Sequence, residues 1–159
     1  MFEKFFKNKS NNLYAPVNGK TIALENVADN VFASKMMGEG IAFKLQGDTV
    51  YAPCDGILTV LPQSKHAFGI IMENGAEVLV HIGLDTVELN GEGFTCYKKV
   101  GDKVRHGSAV IKLDESIVEN KDLDLTTMLI VTNWQDYKIS IVQENLDVYR
   151  NETEVIKFE

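Results

Sequence analysis

Apolar residues in this chain fall in short runs, each closed by polar or turn-forming residues, and no long stretch repeats at helical spacing. Runs rich in Ile, Val, Leu and Phe predict strands at residues 20–25, 40–45, 56–61, 68–72, 77–82 and 109–113. Glycine-marked turns separate them at Gln46-Gly47-Asp48, Glu73-Asn74-Gly75 and Gly91-Glu92-Gly93. Further strands are predicted at 128–132, 138–142 and 155–158, with one short helix or turn within 114–125. Many short strands with frequent turns indicate an all-β antiparallel sandwich or barrel, with at most short helical turns.

The pattern also repeats. Tyr14-Ala15-Pro16-Val17-Asn18-Gly19 recurs as Tyr51-Ala52-Pro53-Cys54-Asp55-Gly56, 37 residues later. At the same offset Gly38 meets Gly75, and Asp48-Thr49-Val50 meets Asp85-Thr86-Val87. In each copy proline sets φ, and Asn-Gly or Asp-Gly supplies a turn into a strand. Two copies are too few for an open solenoid, so a duplicated motif, two units packed face to face, is expected. In this superposition Lys44 falls opposite His81, so the histidine belongs to one copy only.

Length and charge narrow the field. A chain of 159 residues suits one domain. The expected division is a flexible tail at 1–12 and a folded domain at 13–159. The tail carries Phe2, Phe5 and Phe6 among lysines and reads as a frayed end, with a weak lipid-touching helix as the sharper alternative. A net charge of −7 argues against nucleic acid and favours a basic protein partner. No apolar run approaches the roughly 20 residues of a membrane span, and no secretory signal is visible. Cys54 and Cys96 form no disulfide framework, so a cytoplasmic location is expected.

The chemistry concentrates in Val78-Leu79-Val80-His81-Ile82-Gly83-Leu84-Asp85-Thr86-Val87. A strand interior seldom holds His followed by Gly unless backbone must approach closely. Upstream, His66 stands in Ser64-Lys65-His66-Ala67-Phe68-Gly69. The two imidazoles are expected to meet in one shallow site, with His81 as nucleophile. A lone strand histidine is usually just a packed residue, and His106, in a charge-rich turn, is expected to be solvated. The loop Val31-Phe32-Ala33-Ser34-Lys35-Met36-Met37 is apolar for a connection; it either packs on the core or offers an adaptable protein-binding surface.

Two phrases, SKHAFGI and VHIGLDTVELNGEGF, closely resemble the glucose-type enzyme IIA family of the sugar phosphotransferase system. The resemblance runs from about Tyr14 to the C-terminus. It implies a β-sandwich that carries phosphate on histidine, accepted from the carrier HPr and passed to a cysteine of an enzyme IIB domain. His81 would be the phosphorylated nucleophile, its Nδ1 proton held by the carbonyl of Gly83. His66 would stabilise the phosphoryl group, oriented by Ser64, where the family usually has threonine. Val31, Phe32, Met36, Met37, Leu79 and Val87 would form the apolar rim that excludes water and meets partners. Asp29 and Asp85 would meet a basic carrier. Regulatory protein partners are a further expectation, and with no IIB or IIC segment in the chain, transfer is expected in trans. No cofactor is required, although His66 and His81 together could hold Zn²⁺.

Two rivals compete. Val100-Gly101-Asp102-Lys103-Val104 resembles a turn of biotinyl or lipoyl carriers, but Ser34-Lys35-Met36-Met37 poorly matches their modified-lysine hairpin. A zinc peptidase on a similar repeated β fold needs three protein ligands, and its His-x-His is absent because Gly83 follows His81 by two.

Overall fold

The computed structural model describes residues 11–159. The tail assigned to 1–12 therefore lies almost wholly outside the described residues. Fourteen short strands build the described part: β1 (Leu13–Tyr14), β2 (Asn18–Ala23), β3 (Glu39–Gln46), β4 (Thr49–Tyr51), β5 (Gly56–Val60), β6 (Ala67–Ile71), β7 (Glu77–Ile82), β8 (Phe94–Cys96), β9 (Lys103–Val104), β10 (Ala109–Leu113), β11 (Thr127–Val131), β12 (Ile139–Ile141), β13 (Asp147–Val148) and β14 (Glu154–Phe158). Two single-turn α-helices, α1 (Asn30–Ala33) and α2 (Glu115–Val118), and three 3-10 turns complete it. All nine strands predicted from the apolar runs are present, and α2 falls in the stretch predicted to turn or coil. The five that pattern missed (β1, β4, β8, β9 and β13) have two or three residues each, too short for an alternation to show.

The strands form an eight-stranded antiparallel sheet, ordered β13-β2-β3-β11-β7-β6-β5-β9, and two three-stranded sheets, β1-β14-β12 and β4-β10-β8. Alternate residues of the large sheet face a main core shared with the small sheets: Ile41, Phe43, Val78, Val80, Ile82, Leu129 and Val131. The opposite set on β3 and β11, Ala42, Met128 and Ile130, packs into a smaller cluster with Leu24, Val27, Phe32 and Leu84. The chain is thus buried on both sides of β11, whose five residues are all inaccessible.

The duplication is explicit in the backbone. Tyr14 N–H donates to the Pro53 carbonyl and Tyr51 N–H to the Pro16 carbonyl, both at 2.8 Å. Ala15 pairs with Asn151 and Thr153, and Ala52 pairs in the same way with Gly107 and Ser108. A second repeat, which the sequence reading passed over, completes the symmetry. Residues 94–113 and 139–158 match at an offset of 45, with Val110-Ile111-Lys112-Leu113 recurring as Val155-Ile156-Lys157-Phe158. Ile111 faces Cys96 as Ile156 faces Ile141, so even the register repeats.

The copies diverge in two places. Asp48-Thr49-Val50 leads into β4, whereas Asp85-Thr86-Val87 enters a 3-10 turn at Thr86–Leu89, so that match in sequence has no structural counterpart. The connection from β2 to β3 lies over the sheet as the turn at Leu24–Asn26 followed by α1, while the connection from β5 to β7 inserts β6 into the sheet. The candidate chemistry lies where this second difference falls.

Candidate functional site

Both histidines are placed by neighbouring strands. His81 is on β7 and pairs across with Ala67 of β6 and Met128 of β11. His66 immediately precedes β6, and its carbonyl accepts the Ile82 N–H at 2.7 Å. That register brings the rings together edge to face, with centroids 4.9 Å apart and planes at 79°. The hairpin approach to His66 needs a left-handed residue, Lys65 at φ 56°, whose N–H bonds back to the Pro62 carbonyl. Ser64 Oγ stands 2.6 Å from His66 Nδ1. With the hydroxyl donating there, His66 carries its proton on Nε2.

His81 is largely removed from water. The Phe32 ring of α1 sits against it, centroid to centroid 4.9 Å at 60°. Burial, with the neighbouring His66 second, pushes its pKa down to about 4; the Gly83 backbone and Asp29 pull the other way. Burial also lowers His66. Both rings are therefore neutral near pH 7. Nδ1 of His81 is buried and makes no hydrogen bond of ordinary geometry. Of the two groups that favour the charged form of this ring, the Gly83 backbone acts more strongly than Asp29.

The loop after β7 is tightly determined. Gly83 adopts φ 76°, and a Cβ there would lie 2.4 Å from Thr86 Cγ2 and 2.9 Å from the Asp124 carbonyl. Its N–H donates to Thr126 O and that of Leu84 to Asp124 O. The buried Thr86 hydroxyl donates to the Ile82 carbonyl. Asp85 follows in a left-handed conformation at φ 60°, with its side chain exposed and making no cap.

Of the residues expected to form an apolar rim, Met36 is 76% exposed, Val87 49% and Val31 43%, and Met37 is exposed as well. Leu79 is half-buried. Phe32 differs from its expected place on that rim: it is only 5% exposed, because it fills the small cluster beneath α1. Its contribution is to cover His81. Asp29 has a local task as well, accepting the Val31 N–H at 2.9 Å and so capping α1. His106, expected in solvent, instead stacks on Tyr14 at 4.7 Å and bonds through Nδ1 to Asn151 Oδ1. Its counterpart in the other copy is Arg150 over the Tyr51 ring, 4.0 Å from the centroid.

His66 and His81 offer two nitrogen donors, while catalytic zinc takes three protein ligands. No group of three or more metal-ligating side chains occurs among the described residues. No helix among them is long and apolar enough to cross a membrane. Sequence reasoning considered Lys35 only as a modification target and overlooked its ion pairs. Nζ lies 2.9 Å from Glu25 Oε1 and 3.0 Å from Glu39 Oε2. Spacing offered little signal, because Lys35 and Glu39 are four apart but not in one helix.

Comparison with known proteins identifies the family and the fold. Residues 11–137 match the family described as phosphoenolpyruvate-dependent sugar phosphotransferase system, EIIA 1. The glucose-specific EIIA component of Oceanobacillus iheyensis is 44% identical over 138 residues, covering 84% of each chain. The beta-glucoside-specific EIIBCA component of Dickeya chrysanthemi is also 44% identical, over 79% of this chain but only 20% of that longer protein. Among solved structures, the glucose permease IIA of Mycoplasma capricolum superposes with a TM-score of 0.84 at 34% identity, covering 95% of this chain and 97% of that one.

Proposed function

Because the chain belongs to the EIIA 1 family of the phosphoenolpyruvate-dependent sugar phosphotransferase system, and so is a phosphocarrier, we propose that His81 is the residue that carries the phosphate. The donor is the histidine-phosphorylated carrier HPr, and the acceptor is a cysteine of an enzyme IIB domain. Such an exchange takes place in the cytoplasm and needs no metal or organic cofactor. Regulatory proteins that read the phosphorylation state would meet the same face.

The observation that carries the proposal is the environment of His81: a neutral imidazole, shielded by Phe32, with a second imidazole 4.9 Å away. Phosphoryl transfer asks for an in-line nucleophile and for donors to the phosphoryl oxygens. Nδ1 of His81 is the buried nitrogen, so Nε2 is the one to attack. As the N–P bond to HPr breaks and the new one forms, positive charge develops on the His81 ring. The proton retained on Nδ1 is then held by the Gly83 backbone, the larger of the two influences that favour the charged ring. His66, holding its proton on Nε2 through Ser64, donates to a phosphoryl oxygen. The exposed Val31, Met36, Met37 and Val87 exclude water from the labile phosphohistidine when a partner covers them. Asp29 and Asp85 attract a basic donor.

Incubation with phosphoenolpyruvate, enzyme I and HPr, followed by intact mass, tests this. The His81→Gln protein should stay unphosphorylated while folding normally; a wild-type yield of phosphoprotein would remove His81 from the role. There His66→Gln should still accept phosphate, and once an enzyme IIB domain is added it should pass the phosphate on about 10²-fold more slowly, the worth of one transition-state donor.

A further inference from the structure

The connection from β2 to β3 reaches across the outer face of the sheet and delivers Phe32 to the His81 ring. It has little intrinsic order to rely on. α1 is a single turn of four residues, far below the length at which a helix holds its own shape in water. Backbone bonds shape the turn after it: Lys35 N–H to Phe32 O, Met36 N–H to Val31 O and Gly38 N–H to Lys35 O. None of these three ties the two ends of the segment together.

Lys35 does. It adopts a left-handed φ of 64°, a conformation a lysine seldom takes without compensation. In that conformation its ammonium meets Glu25 at 2.9 Å and Glu39 at 3.0 Å. Glu25 belongs to the turn where the segment begins; Glu39 opens β3 where it ends, opposite Val131 of β11. One cation therefore bridges both ends of the segment and the sheet. The Glu39 side chain is only 18% exposed, and its other oxygen accepts the Gly40 N–H. The lysine is raised and Glu25 lowered in pKa, each chiefly by their mutual hydrogen bond.

We propose that Lys35 is a positioning residue: its bridge to Glu25 and Glu39 holds the 24–38 segment on the sheet, keeps Phe32 over His81 and presents Val31, Met36 and Met37 to partners. The consequence for transfer rests on the reading of His81 as phosphate acceptor; the positioning itself does not.

The test exploits sign. The charged and titratable groups acting on His81 are His66, before β6, and Asp29, before α1, together with the Gly83 backbone; Lys35, Glu25 and Glu39 are not among them. Lys35→Met removes a positive charge, and Glu39→Gln removes a negative one. If the bridge acts by holding the segment, both substitutions let water reach His81, and both raise its pKa from about 4 toward the ordinary 6.5. If the charges merely act through space, Lys35→Met raises it and Glu39→Gln lowers it. The His81 ring would be titrated by NMR in the full chain of each variant, with melting curves to establish that each is folded. Glu25→Gln, which spares one carboxylate, should give a smaller shift of the same sign and stands in if Glu39→Gln fails to fold. Shifts of opposite sign, or none in any variant, would overturn the proposal. In transfer assays Lys35→Met should raise KM for phospho-HPr by several-fold to about tenfold, with a smaller change in kcat. A His81→Gln protein that still accepted phosphate would sink the acceptor assignment while leaving the titration result intact.

Discussion

At the scale of single residues, burial is what keeps the His81 ring neutral near pH 7. An imidazole in water would be partly protonated near neutrality, and a protonated ring has no lone pair with which to attack. Burial against Phe32 and His66 removes that competition at a cost in acid stability. Between the ordinary value of 6.5 and its own value of about 4, His81 stays neutral in the folded chain while an unfolded chain would take up a proton. The unfolded state then binds more protons, so stability falls as pH is lowered through that window and levels off below about pH 4. The full effect is about 3 kcal/mol. Urea midpoints at about pH 7 and about pH 4 should separate clearly for the wild type and lie closer together for His81→Gln. Phosphate acceptance, by contrast, should not decline between pH 7 and pH 5 through any change at His81.

At the scale of elements, the site is a meeting of three connections. The first, between β2 and β3, supplies Phe32 and the exposed methionines. The hairpin before β6 supplies Ser64 and His66. Last comes the loop after β7, with Gly83, Asp85 and Val87. In that loop Asp85 sits where only glycine, asparagine and aspartate are comfortable, with its carboxylate free to face a partner. Asn keeps the backbone preference and removes the charge. Asp85→Asn should therefore leave the melting temperature unchanged and slow association with HPr at low salt. The deficit should shrink as the Debye length falls to about 8 Å at physiological ionic strength. Stopped-flow rates across a salt series measure this, and a lower melting temperature with unaltered salt dependence would make Asp85 a purely structural residue.

At the scale of the whole molecule, duplication explains both the stability of the scaffold and the location of the chemistry. Equivalent glycines start equivalent strands. A Cβ on Gly19 would lie 2.1 Å from the Lys44 carbonyl, and one on Gly56 would lie 2.3 Å from that of Ile71. Neither backbone oxygen can yield without breaking its sheet. Gly19→Ala and Gly56→Ala should each cost about 1–3 kcal/mol, similar to one another, and should add in the double variant because they share no partner. Denaturant melts of the three proteins decide it. Markedly unequal costs would mean that the halves do not bear load alike.

The sequence alone determined the alternation that made this an all-β chain, because apolar runs bounded by Gly, Asn and Asp leave a strand little alternative. It also determined the repeated Ala-Pro turns, and it drew attention to His81 through the glycine two residues on and through the absence of a histidine at the matching position of the other copy. Tertiary structure decided what no local pattern encodes. Two-residue strands such as β9 and β13 exist only because a longer neighbour offers them hydrogen bonds. Phe32 looked like part of an exposed rim, since nothing in its own neighbourhood records that a sheet lies beneath α1. His106 acquires an aromatic partner from the far end of the fold, Tyr14. Lys35 joins carboxylates ten residues before and four residues after it, which only the return of the chain onto β3 brings within 3.0 Å. Hydrophobic period and turn chemistry act over a few residues and can be read along the chain; burial, desolvation and ion pairing depend on which segments the closed fold lays side by side.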